Sequence, residues 1–280
     1  MTEIIDTKKY RKQIIELWQN CFGDDEEYID FFLKNCPYLC VGTFSDDMLV
    51  SMLFLLDGLI ENHKVKYIYA ACTLKEYRGR GLMADLIEFS KQWCSENSYD
   101  GLFLVPAVNS LYDYYDKFGF ISCFEKAVFS VNKSQCIESD FTEISEEEAA
   151  EIRLRLLSDK KCFHFSQDTN LYSVREHIYC GGDIFYQKSI ENETLIFVCN
   201  NQQNYFIKEF LTQKPVKKLK IGYIFKKYHI ENIYIHAPIV YNNTDIGIFS
   251  TKCGMCFPLD SDFQHFVSGS KQLYAGLYLD

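Results

Sequence analysis

The sequence predicts an α/β (α+β) protein in two domains, residues 1–135 and 140–280, the first on a mixed central sheet. Three observations predict it. Residues 65–74 are largely β-branched, aromatic and small, as in a buried strand, while Leu82, Leu86, Phe89 and Trp93 recur at helical threes and fours, with Arg78-Gly79-Arg80-Gly81 between the two segments. About twenty residues beyond that turn comes a second short apolar strand, 101–105, then Asn109-Ser110 and the aromatic run 111–120, a spacing that leaves room for one helix. Residues 132–145 then become polar, which marks the domain boundary, and a second mixed run of helix and strand patterns follows.

Taken in order, residues 8–34 carry Ile14, Ile15, Leu17, Trp18 and Phe22, then Tyr28, Phe31, Phe32 and Leu33, at helical spacing. Gly23 ends the first helix, and Asp24 or Asp25 caps the second. Three strands follow, at 38–44, 48–56 and 59–69 onward, with turns at Ser45-Asp46-Asp47 and Asp57-Gly58. A further strand runs to about residue 131. Past the boundary, 146–157 and 171–179 read as helices, 183–189 and 194–199 as strands, 207–211 and 221–228 as helices, and 232–236 and 247–250 as strands. Cys253-Gly-Met-Cys256 reads as a tight turn beside a strand.

Composition bounds the function. With 48% apolar and 24% charged residues over 280, the chain is an ordinary globule with length for two cores. A formal charge of −10 argues against a nucleic-acid surface and favours cationic substrates. No N-terminal apolar leader is present, and the longest apolar stretch, 49–60, is broken at Asp57 and too short to span a bilayer, so a cytoplasmic protein without a membrane partner is expected. Twelve cysteines lie scattered among apolar neighbours, as small buried hydrophobes would in a reducing compartment. One C-x-x-C without a second pair, and His164, His177, His229, His236 and His265 without metal-like spacing, give no metal site. Nothing in the sequence fixes an oligomeric state.

The glycine turn carries the chemistry. Two glycines let the backbone turn tightly and approach a ligand without a Cβ, and the first amides of the following helix point into the same space with the positive end of the dipole behind them. Such a site favours a phosphate. There is no Gly-Lys-Ser/Thr ending for a P-loop, and the dinucleotide fingerprint is met only as Gly79-x-Gly81-x-x-Ala84, with no acidic residue closing a second strand.

Arg78-Gly79-Arg80-Gly81-Leu82-Met83 resembles the acyl-CoA signature of the GNAT acetyltransferases, Arg/Gln-x-x-Gly-x-Gly/Ala, with Met83 where Gly or Ala is usual. Tyr115, Gly119 and Phe120 resemble the family's second hallmark, Tyr-x-x-x-Gly-Phe, in the right order and at the right separation. Arg-Gly-Leu-Met is similar to the Eis-type (enhanced intracellular survival) branch. The resemblance implies a GNAT fold over 1–135, then a degenerate GNAT-like domain over 140–280 that completes the acceptor cleft, without the sterol-carrier-like third region of that branch.

What the resemblance implies chemically is an N-acetyltransferase with acetyl-CoA as donor and a small or peptide amine as acceptor. The Cys72, Thr73 and Leu74 backbone would meet the pantetheine arm, and the amides of Arg80, Gly81, Leu82 and Met83 the pyrophosphate. Arg78 and Gly79 would shape the turn, Arg80 would reach the 3′-phosphate, and Asn109 would contact pantetheine or cap a helix. Tyr115 would protonate the thiolate leaving group; its structural alternative is packing of its helix. For the general base, Asp57, Glu61 and His63 on the hairpin, the C-terminal Asp280 and a water chain all stand open. A non-catalytic acyl-CoA sensor is the alternative function. The tRNA-dependent peptidoglycan ligases, which lack the turn and need a basic surface, fit less well.

Overall fold

The computed structural model describes residues 2–201, 204–214, 218–238, 249–270, 273–277 and 279. In chain order its elements begin with β1 (Thr2–Ile4), α1 (Arg11–Phe22), α2 (Glu26–Asn35), β2 (Leu39–Ser45), β3 (Met48–Ile60), β4 (His63–Thr73), a 3-10 turn (Lys75–Tyr77), α3 (Leu82–Glu96), β5 (Gly101–Leu104), α4 (Ser110–Asp116) and β6 (Ile121–Asn132). There follow α5 (Glu146–Leu157), β7 (Cys162–Phe165), α6 (Gln167–Tyr179), β8 (Asp183–Lys188), β9 (Glu193–Asn201), β10 (Asn204–Thr212), α7 (Gly222–Tyr228), β11 (Asn232–Ala237), β12 (Phe249–Pro258), α8 (Ser261–Gly269) and β13 (Tyr274–Ala275). None of the described helices is long and apolar enough to cross a membrane.

Packing divides the chain into two compact units: Met1–Cys123 with Gly254–Lys271, and Phe124–Cys253 with Gln272–Asp280. The division therefore falls inside β6 and β12, whereas the polar stretch read as the boundary lies further along, at 132–145.

In the first unit the strand order is β1-β2-β3-β4-β5-β12. All its ladders are antiparallel except β4–β5, which is parallel, so the sheet is mixed. One face is covered by α1 and α2, whose Trp18 and Phe32 pack with Phe54 and Tyr69 of the sheet. On the core over the other face, α3 and α4 contribute Leu86, Ile87, Cys94 and Tyr115 against Val41, Leu53, Leu55, Ile68 and Leu102. The alternation of strand residues between the two faces is the pleat at work.

Local chemistry explains the ends of these elements. Gly23 takes φ +82 and closes α1 with its amide on the Gln19 carbonyl, and the Asp25 carboxylate accepts the Tyr28 amide at 2.7 Å to cap α2. Asp46 and Asp47 both take positive φ in the β2–β3 turn, as a two-residue hairpin requires. The turn expected at Asp57-Gly58 is not there. Both residues lie inside β3, opposite Lys66 and Val65, and the chain reverses at Glu61-Asn62, with Glu61 at φ +55. Asp57 is kept in the strand by its cross-strand partner: Lys66 Nζ lies 2.9 Å from its carboxylate, and the Tyr99 hydroxyl donates to the same oxygen at 2.7 Å.

In the second unit the order is β6-β11-β10-β9-β8, with β13 paired to β7. One core joins α7 to this sheet through Ile224, Phe225, Phe129, Ile207 and Ile235; another joins α5 and α6 to β9 and to the 273–277 segment. Residues 207–211, expected to be helical, belong to β10. A β-bulge between Ile207 and Glu209 breaks the period of two and leaves Ile207, Phe210 and Leu211 buried at helix-like spacing. Cys253 and Cys256 lie within β12, not in a turn. At i, i+3 in a strand they point to opposite faces and cannot share a metal. All twelve cysteines are free thiols. Residues 247 and 248 of the last expected strand lie outside the described residues.

Candidate functional site

The site is built where β4 leaves its neighbour. β4 pairs with β5 only from Val65 to Tyr67, opposite Gly101 to Phe103, and β5 ends at Leu104. Beyond that point β4 is bent. Met52 opposes Cys72 and Phe54 opposes Tyr69, so β4 holds one residue more than β3, and Ala70 takes φ +46 there. Such a bulge increases local twist and re-aims the strand. The strand's last residues, Cys72 and Thr73, thus diverge from β5 and lead to Leu74 and the turn.

The turn itself is Arg78 in extended conformation, Gly79 at φ +75, Arg80, and Gly81 at φ +83. A Cβ at either glycine would meet no atom within 4 Å. The glycines are required by their left-handed backbone, and the space before them is open. Gly81 occupies the N-cap of α3 without a side chain to cap it, so the first-turn amides of Leu82, Met83 and Ala84 have no intrahelical acceptor. They carry the positive end of a fifteen-residue helix. Met83, half-buried, packs against the α3 core.

Side chains fix this turn from behind. Arg78 Nε donates to the Thr73 carbonyl at 3.0 Å, and Arg80 donates to the Glu76 carbonyl at 2.9 Å with its guanidinium 4.7 Å over the Tyr77 ring. The strand-end carbonyls are already engaged: Cys72 accepts from the Ser51 hydroxyl at 2.9 Å, Leu74 from the Tyr77 amide at 2.9 Å, and Thr73 also from the Cys21 thiol at 3.6 Å. The Leu74 carbonyl keeps a second lone pair for a ligand, whereas that of Thr73 already accepts two hydrogen bonds.

Cys21 is the residue the sequence did not single out. Its hydrogen bond with the Cys72 thiol, together with the Arg78 guanidinium, lowers its pKa from 9 to about 7, against the opposing effect of partial burial. Cys72, fully enclosed, is pushed well above the ordinary thiol range by burial. No spacing rule links residue 21 to residue 72. Only the packing of α1 on the end of β4 does.

Tyr115 lies on α4 and is buried, with its ring edge-on to Phe120 at 5.8 Å. Its hydroxyl has no hydrogen-bond partner among the described residues. Burial, with a smaller contribution from Tyr114, raises its pKa to about 12, so it is a neutral phenol at working pH. Asn109 occupies the N-cap position of α4 but makes no side-chain cap bond, and its exposed amide is uncommitted.

The hairpin candidates for a base stand elsewhere. His63 opens β4 and Thr73 closes it, which at about 3.3 Å per residue sets the Asp57–His63 hairpin roughly 30 Å from the turn. Asp57 is also spent on Lys66 and Tyr99. Asp280 lies outside the described residues. The Gly23–Asp25 junction is nearer: Asp24 accepts the Trp18 indole N–H at 2.7 Å, and the Tyr28 and Tyr69 hydroxyls are 2.9 Å apart beside the bulge.

Known proteins share a family domain and a fold with this chain. Residues 6–122 match the acetyltransferase (GNAT) domain family. No curated protein matches the chain in sequence. Among solved structures, Eis1 from Mycobacterium abscessus superposes with a TM-score of 0.68 at 7% identity, over 93% of this chain and 74% of its own. A GCN5-related N-acetyltransferase from Anabaena variabilis gives 0.68 at 13% identity, over 93% and 73%. A tandem GNAT protein from the clavulanic acid biosynthesis pathway gives 0.56 at 9% identity, over 93% of this chain and 99% of its own. At these identities the likeness is one of fold. Residues 6–122 are thus a GNAT acetyltransferase domain by their family match, and over the rest of the chain the likeness to these structures is one of fold.

Proposed function

We propose that the protein is an acetyl-CoA-dependent N-acetyltransferase acting on a primary amine. One observation carries the reading: a strand that bends at Ala70, leaves β5 after Tyr67, and ends on two positive-φ glycines in front of the uncapped α3 N-terminus. A pyrophosphate on the amides of Arg80, Gly81, Leu82 and Met83 satisfies orphan donors and meets the helix dipole. The pantetheine arm then lies along Cys72, Thr73 and Leu74 toward Asn109, with Arg78 and Gly79 holding the turn's shape.

In the reaction a neutral amine attacks the thioester carbon, the C–S bond breaks, the departing thiolate takes the Tyr115 phenol proton, and the proton shed by the acylated nitrogen returns to the phenolate through water. A phenol near 12 and a thiol near 8.5 differ by about 5 kcal/mol in the free protein. The same desolvation that raises the phenol raises the thiol in that cleft and narrows the gap. The amine reaches its reactive form by losing a proton to water, so kcat/KM is expected to rise with pH toward the free amine's pKa of about 10.

The test is thiol release from acetyl-CoA across a panel of polyamines, aminoglycosides and lysine peptides, with wild type beside Tyr115→Phe. Amine-dependent release that falls about tenfold or more in the variant, with donor affinity kept, supports the reading. Acetyl-CoA binding with no release from any amine would move the assignment to a non-catalytic acyl-CoA-binding protein.

A further inference from the structure

We propose a divalent transition-metal site formed by His63, Asp100 and Asp260, at the opposite end of β4 from the glycine turn and independent of the acetyl-transfer reading. One ring nitrogen and two carboxylate oxygens from these half-buried residues lie within 4.8 Å of one another. All three belong to the first unit. Strand register puts them there: Val65 pairs with Gly101, and Gly101 with Pro258, so the first residue of β4, the residue just before β5 and the second residue after β12 share one corner of the sheet.

The groups are arranged as ligands are. The Lys64 amide donates to Asp100 Oδ2 at 2.8 Å, and the Phe263 amide donates to Asp260 Oδ1 at 2.8 Å, which orients both carboxylates. The His63 ring is fixed against Phe263 and Phe266, at 4.7 and 5.4 Å between centroids. The charge is not otherwise balanced. Among the described ion pairs Asp100 has only His63, at 3.8 Å, and Asp260 has none beyond the dipole of the helix it caps. Two carboxylates this close favour a cation between them.

Imidazole with two carboxylates suits zinc or manganese better than magnesium or calcium, which prefer all-oxygen shells. Bonds of about 2.0–2.2 Å hold ligand atoms roughly 3.5 Å apart, so small side-chain rotations close the cluster, and water completes the coordination. The bound ion would tie the starts of β4 and β5 to the start of α8, at the end where the two strands remain paired.

The experiment uses untagged full-length protein, stripped with a chelator and titrated with zinc or magnesium chloride, following bound metal by elemental analysis and the melting temperature. The expected result is one zinc per chain and a Tm rise of about 5 °C at a hundredfold excess over Kd, with no rise from magnesium. Asp100→Asn and Asp260→Asn keep an acceptor for the backbone amide and should each weaken zinc binding at least tenfold. Should either fold poorly, His63→Phe keeps the ring packing while removing the nitrogen, and should lose the zinc response. Binding well below one equivalent, an equal response to magnesium, or full zinc affinity in these variants would overturn the site.

Discussion

At Tyr115 the hydroxyl belongs to a side chain only 9% exposed, and removing it should separate chemistry from packing. Tyr115→Phe keeps the ring against Phe120, so turnover falls while the fold holds. Stability gives a second reading. The folded pKa, about 12, exceeds the unfolded value of about 10, so the stabilisation from the protonated phenol is complete below pH 10 and is lost as pH rises through 12. Wild type should therefore lose a few kcal/mol (roughly 2–3) more than Tyr115→Phe over that window, measured by denaturant unfolding at each pH. Cys21 makes a different prediction. With a thiol pKa of about 7, its alkylation by iodoacetamide should reach half its maximal rate near pH 7, more than a unit below an ordinary cysteine. A midpoint at 8.5, followed by peptide mass spectrometry, would show that the Cys72 and Arg78 contacts do not persist in solution. The place of Tyr115 on its helix was legible from its offset to Gly119-Phe120, and that of Arg78 from the turn motif; their roles in the reaction are part of the proposal. Cys21 was not, because its chemistry comes from neighbours fifty residues away.

Among the elements, the turn from β4 into α3 was the most legible, since only glycine adopts φ near +80 without strain and two glycines at i, i+2 between a strand and an apolar helical stripe mark a tight turn. Gly81→Ala should cost about 1–2 kcal/mol from backbone strain alone, as its Cβ would collide with nothing. It should also weaken acetyl-CoA binding, because the methyl would stand before the helix amides. Equal stability and equal donor affinity by calorimetry would argue against the cradle. The bulge at Ala70 was illegible: its residues read as plain strand, and alanine gives no sign of positive φ. The two misread elements have the same kind of cause. Asp57-Gly58 has turn chemistry, but the Asp57–Lys66 pair and the Tyr99 hydroxyl hold it in a long strand. The bulge in β10 shifts the apolar residues of 207–211 into a helical spacing.

Over the whole chain, the sequence showed two α/β portions but not how the last residues are shared between them. The 254–270 stretch joins the first unit because β12 lies against β5, and 273–277 joins the second. Long-range strand pairing leaves no local mark. In the second unit that final segment is held by a fully buried cation. Arg153 donates to both oxygens of Glu209, at 2.6 and 3.2 Å, to Asn170 Oδ1 at 2.6 Å and to the Gly276 carbonyl at 2.8 Å, while the Tyr274 hydroxyl donates to Glu209 at 3.0 Å. Arg153 and Glu209 are both sealed from solvent, so each charge depends on the other. Glu209→Gln leaves the guanidinium without its counter-charge and should destabilise the unit by about 3–5 kcal/mol. The double change Arg153→Met with Glu209→Leu removes both charges together and should recover much of that loss. Gly276→Ala should act on the tail more than on the pair, since its Cβ would overlap the Tyr274 hydroxyl and the Glu209 carboxylate. Hydrogen exchange distinguishes the two effects. Faster exchange in Gly276→Ala at Tyr274 and Ala275, whose strand pairs with Cys162 and Phe163, with α5 still protected, would place the tail's anchorage in this network. Unchanged exchange there would mean that the apolar contacts of Tyr274 and Leu277 hold the segment by themselves.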